Sequence, residues 1–165
     1  MRNTSKTVRV IAMQGVIAAI YVVLAMLLQP ISFGPVQFRV SEALTVLPFL
    51  SPYTAAGLTV GCLIANLLGG NGPLDVIFGT LATLIAAVLT SKIKNRWLAP
   101  LPPVLVNAVI VGAMLSYVLT PDAFWASFPV FAAEVGLGQI GACYVLGLPL
   151  LATAWRLRLF EGTKK

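Results

Sequence analysis

The stretch "GPVQFRVSEALTVLPFLSP", residues 34–52, decides how many times this chain crosses a membrane. It lies between two long apolar runs, carries Arg39 and Glu42 near its start, and is marked by Pro35, Pro48 and Pro52. Such a segment is too short and too interrupted to be an ordinary membrane-spanning helix, yet the distribution of charge around it demands a crossing.

On either side the sequence is apolar. Hydrophobic residues make up 59% of the 165 and charged residues 10%, and the mean hydropathy is +0.95. That is the composition of an integral membrane protein. Residues 10–38, 43–74, 76–91, 97–121 and 135–155 contain no Asp, Glu, Lys or Arg, and each window is near or above the ~20 residues that cross ~30 Å of hydrocarbon as a helix. Val8–Leu28 follows Arg2 and Lys6 as a signal peptide would, but its apolar run exceeds the ~7–15 residues of a signal core, so it reads as an uncleaved first helix.

Five windows are plain: Val8–Leu28, Tyr53–Leu68, Leu74–Leu89, Leu101–Leu119 and Phe131–Trp155. Basic residues cluster at Arg2/Lys6/Arg9, at Lys92/Lys94/Arg96 and at Arg156/Arg158/Lys164/Lys165. The positive-inside rule puts all three on the cytoplasmic side, and five crossings would put the second and third outside. One more crossing between the first two windows repairs both faults, and only Val40–Leu50 can supply it. As an α-helix its residues would rise only about 16 Å, so it must be tilted, extended past Pro48, or shielded by protein from lipid. The expected fold is an all-α, six-transmembrane-helix bundle with a short second helix and both termini cytoplasmic, forming one membrane domain over 1–165. The helices fall near 8–28, 40–50, 53–69, 74–91, 101–119 and 131–155.

Small residues recur at Gly57, Gly61, Ala65 and Gly69, and again at Ala108, Gly112 and Ser116. Four-residue spacing lines one helix face with groups that admit a neighbouring backbone, and packing within the bundle accounts for both stripes. Gly15 and Ala19 form a shorter version on the first helix, where a partner protein is an equal alternative. Cys62 and Cys143 lie in apolar runs without a CxxC, and the chain has no histidine, so neither a metal site nor a disulfide framework is expected and both read as small core residues.

Polar side chains inside a membrane protein face protein or water and are functional suspects. Glu42, Asp75 and Glu134 are expected at the outward end of the bundle, with Gln37, Arg39, Asn66, Asn71 and Gln139 close to them in the helix order. Together they suggest an outward-facing polar cavity. Asp75 can equally serve the positive end of its own helix, and Glu42, three residues from Arg39, can equally be half of an ion pair. Glu134 has no basic neighbour in sequence and is the foremost ligand candidate, since a carboxylate accepts paired N–H donors. Trp125, in the aromatic "DAFWASFPVF" segment, either rests on lipid headgroups or closes over a ligand. Asn107 reads as an interhelical hydrogen-bonding residue nearer the cytoplasmic end.

The chain has no GxxxxGK[ST], no GxSxG and no histidine, so it lacks the parts of an ATPase, a serine hydrolase or a metalloprotease. A small binder that borrows energy from other subunits fits these absences.

The run "PVQFRVSEALTVLPFLSPYTAAGLTVGCLIANLLGGNGPLDVIFGTLATLIAA", 35–87, and within it "QFRVSEALT" and "GCLIANLLGG…DVIFGTLATL", resemble the QueT family of queuosine-precursor transporters. The resemblance implies the substrate-binding S component of an energy-coupling factor (ECF) importer in a prokaryotic plasma membrane. It would be a non-enzyme, without a cofactor and without a nucleic-acid partner, working with a transmembrane coupling (T) subunit and two cytoplasmic ABC ATPases. The implied ligands are 7-deazaguanine bases such as the 7-aminomethyl and 7-cyano forms and queuine. Gly15 and Ala19 would stand where the family's small-residue pair meets the coupling subunit. On this reading Gln37–Glu42 forms the lip of the cavity. The rival readings are an S component for a pterin-like or flavin-like compound, and a structural or regulatory membrane subunit that binds no soluble ligand.

Overall fold

Helix boundaries follow the punctuation of the sequence. The computed structural model describes residues 2–29, 38–70 and 72–161, with side chains from residue 6 onward. α1 runs over Arg2–Leu27. α2, Thr54–Gly69, ends where Gly70 turns left-handed at φ 70°, a conformation that costs glycine no Cβ clash. α3, Pro73–Thr90, and α4, Leu101–Leu119, each begin with proline in the first turn, where the missing N–H is not needed. α5, Phe124–Ile140, passes through a π-helical turn, Gly141–Gly147, into α6, Leu148–Arg156. No strand occurs among the described residues.

The described helices turn apolar faces outward, as suits lipid, and enclose polar side chains within an apolar core. Leucine, isoleucine and valine are exposed on the outer faces of every long helix, while the interior holds Ser41, Glu42, Thr45, Asn66, Asp75, Thr83, Asn107 and Gln139. Lys6–Leu27, Pro73–Thr90, Arg96–Leu119 and the long run Pro121–Arg156 are long and apolar enough to cross a membrane. Val40–Phe49 and Thr54–Gly69 are shorter apolar helices. The chain is therefore an all-helical membrane protein.

Val40–Phe49 resolves the problem of the short segment in an unexpected way: it is wound throughout as a 3-10 helix that passes through Pro48. A 3-10 helix rises about 2.0 Å per residue, so it reaches farther than an α-helix of equal length. Every residue from Ser41 to Pro48 is buried, so neighbouring helices supply the shielding from lipid that this short segment needs. Contacts at Gly141 and Gly147 seat it. A Cβ at Gly141 would strike the Phe38 ring, and one at Gly147 would lie 2.9 Å from Val46.

Close contacts also give the helix directions. A Cβ at Gly57 would meet Gln14, and one at Gly61 would meet Ala18 and Tyr21, so α1 and α2 run parallel with the 3-10 helix returning between them. Cys62 and Asn66 reach the carbonyls of Gly79 and Asp75 respectively, so α3 runs antiparallel to α2. Gly112 abuts Ala132, and Gly136 faces Ala108, so α5 runs antiparallel to α4. Both small-residue stripes are thus seams within the bundle. The alternation brings Lys6 and Arg9, the 92–96 cluster and Arg156/Arg158 to one end.

Candidate functional site

A carboxylate with no exposed surface, Glu42, stands at the centre of the molecule. Because residues three apart eclipse one another in a 3-10 helix, Arg39, Glu42 and Thr45 form one polar row. The Thr45 hydroxyl donates back to the Glu42 carbonyl at 2.6 Å.

The Tyr21 hydroxyl of α1 donates to Glu42 Oε1 at 2.5 Å. On α3, Thr83 Oγ1 lies 3.1 Å from the same oxygen and 3.2 Å from Cys62 Sγ on α2. Asn107 of α4 belongs to the neighbourhood of the carboxylate, with its amide nitrogen donating to the Pro103 carbonyl at 3.0 Å. From the π turn, the Cys143 thiol approaches the Glu42 carbonyl at 3.5 Å and Gln139 Oε1 at 3.4 Å. Glu42 Oε2, the Ser41 hydroxyl and the Thr80 hydroxyl are buried without a hydrogen-bond partner among the described residues. An unpaired carboxylate oxygen in such a place costs free energy unless something else completes it.

Toward the end of the bundle opposite the basic clusters lies a second polar group. Arg39 Nη2 pairs with Asp75 at 2.9 Å to Oδ1 and 3.3 Å to Oδ2, and both side chains are buried. Asn66 donates to the Asp75 carbonyl at 3.2 Å and lies 3.4 Å from Cys62 Sγ. A side chain at Gly79 would strike the Asn66 amide at 2.8 Å, so glycine there makes room for this group. Asp75 occupies the first turn of α3, which favours its negative charge.

The structure therefore brings Arg39, Glu42, Asn66, Asp75 and Gln139 into one connected interior, and it changes three expectations. Arg39 takes Asp75 as its partner, not Glu42, because the 3-10 winding and the Gly79 notch bring α3 alongside. Glu42 does not sit at a lip: Cys62 and Thr83, halfway along α2 and α3, flank it, which sets it near mid-height. Glu134 is half-buried and forms no hydrogen bond or ion pair among the described residues, and it does not join the cluster. Trp125 also stands apart, 83% exposed and edge-on to Phe124 at 5.1 Å. Gln37 and Asn71 lie outside the described residues. Gly15 and Ala19 share an exposed face of α1, and a Cβ at Gly15 would meet nothing within 4 Å.

Tyr21, Thr45 and Thr83 are members of the network that sequence reasoning passed over, and Cys62 and Cys143, read as small core residues, are buried as expected and also belong to it. A signal for them existed. Asp75–Gly79–Thr83, Cys62–Asn66 and Gln139–Cys143 each fall four residues apart, so every helix presents its polar groups on one inward face.

The family model described as "QueT transporter" matches residues 11–155. A protein called "Queuosine precursor transporter QueT", from Lactococcus lactis subsp. cremoris (strain MG1363), is 42% identical over 95 residues, which cover 56% of this chain and 55% of that relative. The chain thus aligns with about half the length of the curated relative it matches. No solved structure matches it.

Proposed function

This chain belongs to the QueT transporter family, and from that premise we propose that it is the S component of an ECF-type importer that captures a queuosine precursor from outside the cell. Its ligand is a 7-deazaguanine base, of the class that includes the 7-aminomethyl and 7-cyano forms and queuine. It lies in a prokaryotic plasma membrane as six crossings with both termini cytoplasmic, and it carries no ATPase of its own. The coupling subunit meets the α1 face that contains Gly15 and Ala19, and two cytoplasmic ATPases power the cycle.

One observation carries the choice of site: Glu42 is fully buried, with Oε1 held by Tyr21 and Thr83 and Oε2 without a hydrogen-bond partner among the described residues. A guanine-like edge offers adjacent ring N–H and exocyclic NH₂ donors, and a carboxylate is their natural acceptor. Asn107 and Gln139 supply amides for another edge of the base. The Arg39–Asp75 pair with Asn66 walls the outward side, and Trp125 and Glu134 belong to the approach. Because the carboxylate is enclosed, entry requires the 3-10 helix to shift.

The self-contained bonding of Arg39, Asp75 and Asn66 favours a second reading, in which the polar groups are interhelical glue and no soluble ligand binds. Thermal unfolding of the purified protein with 7-deazaguanines, guanine, a pterin and riboflavin separates the readings, because a ligand of the native state raises the melting temperature. We expect a shift with deazaguanines alone, lost or strongly reduced in Glu42→Gln and kept in Glu134→Gln. A shift with pterin or riboflavin alone moves the substrate class. Stabilisation by none of them supports the structural-subunit reading.

A further inference from the structure

At the end of the bundle that gathers the basic clusters, a groove of about 590 Å³ is lined by Arg96, Trp97, Tyr144, Leu148, Pro149, Leu151, Ala152, Trp155 and Arg156. Its lining is mostly apolar, and its charged members are two guanidinium groups. The floor is a stripe on one side of the last helical run, since Tyr144, Leu148, Leu151 and Trp155 recur at three- and four-residue spacing. From Tyr144 to Trp155 the helix rises roughly 16 Å, close to the ~15 Å depth of hydrocarbon in one leaflet. Trp97 and Trp155 are each about half exposed, as aromatics at the headgroup level are.

Charge identifies the occupant. Arg96 sits 5.1 Å above the Trp97 ring, a stacking that leaves its in-plane N–H donors free to grip a phosphate oxygen. Arg156 lines the groove with it. Lys92 and Lys94 are exposed on the same connection. The one carboxylate of the described residues at this end, Glu161, is already 3.4 Å from Arg158. Positive charge therefore gathers at the mouth of a greasy slot of leaflet depth, with no acid lining the slot to compete.

We propose that this groove is a binding site for one anionic phospholipid, its phosphate held between Arg96 and Arg156 and an acyl chain laid along Tyr144, Leu148 and Leu151. The inference is independent of the 7-deazaguanine reading and needs only that the chain is embedded in a bilayer.

Tryptophan quenching tests it. The full chain, carrying Trp125→Phe so that only Trp97 and Trp155 report, is placed in nanodiscs containing phosphatidylglycerol or phosphatidylcholine brominated on the acyl chains. We expect half-quenching at a roughly tenfold lower mole fraction of the brominated phosphatidylglycerol, and loss of that preference in Arg96→Gln/Arg156→Gln. Both arginines are exposed, so the double variant should fold; if it does not, the comparison of the two lipids on the parent decides alone. Equal quenching by the two lipids overturns the proposal, as does a preference unchanged in the folded double variant. Abolition of the preference by millimolar inorganic phosphate also overturns it, by showing a site for a free anion.

Discussion

Arg39 and Asp75 hold opposite charges 2.9 Å apart with almost no solvent, and the value of that pair depends on what is removed. Deleting one partner strands the other, at a cost of about 3–5 kcal/mol, whereas replacing both with apolar residues removes the desolvation penalty as well. Arg39→Leu and Asp75→Leu should each lower the melting temperature sharply, and the double variant should melt above either single. A double variant that melts below both would show that the two side chains stabilise the protein independently. At Glu42 the Tyr21→Phe change removes a hydroxyl donor to a buried carboxylate, a loss of about 1.5–3 kcal/mol. Glu134→Gln removes no hydrogen bond or ion pair among the described residues, and its effect on unfolding should stay within about 0.5 kcal/mol.

The 3-10 helix is the element on which the interior depends. Its three-residue repeat stacks Arg39, Glu42 and Thr45 in one row, and its longer rise carries ten residues deep into the bundle. Glycines decide what can approach it and what can approach α1. Gly57 and Gly15 are both small residues on helices of the same seam, yet they face opposite ways. A Cβ at Gly57 would come 2.6 Å from the Gln14 carbonyl oxygen, while one at Gly15 meets nothing. Gly57→Leu should therefore overpack the α1–α2 contact by about 1–3 kcal/mol, read as a lower melting temperature. On the proposed coupling role, Gly15→Leu should melt with the parent and bind ligand with it, but fail to co-purify with the proposed coupling subunit. Retained co-purification in Gly15→Leu would move that interface elsewhere on the protein.

Over the whole molecule, alternating helix directions place the basic clusters at one end and the 119–124 turn at the other. Single cysteines report the side of each. With Cys62 and Cys143 buried, background reaction is low, and Asp122→Cys in intact cells should react with an impermeant thiol reagent while Lys94→Cys reacts only after permeabilisation. Reaction of Lys94→Cys in intact cells would reverse the topology. Apolar runs, basic clusters and small-residue stripes are one-dimensional signals, because lipid thickness, membrane charge and backbone approach each act on one helix at a time. From them the sequence alone determined an all-helical membrane protein, a short helix near Val40–Leu50, and the two seams at Gly57/Gly61 and Ala108/Gly112. It also singled out Arg39, Glu42, Asn66, Asp75 and Gln139 as interior polar residues. Which of them meet was decided only by the tertiary structure. The choice between Asp75 and Glu42 for Arg39 and the depth of Glu42 depend on a 3-10 winding that burial makes tolerable, and the separation of Glu134 from the cluster depends on how α5 packs against α4. Partners 36 residues apart for Arg39 and 21 apart for Tyr21 leave no local trace, since hydrogen bonds of that range are set by how neighbouring helices stack.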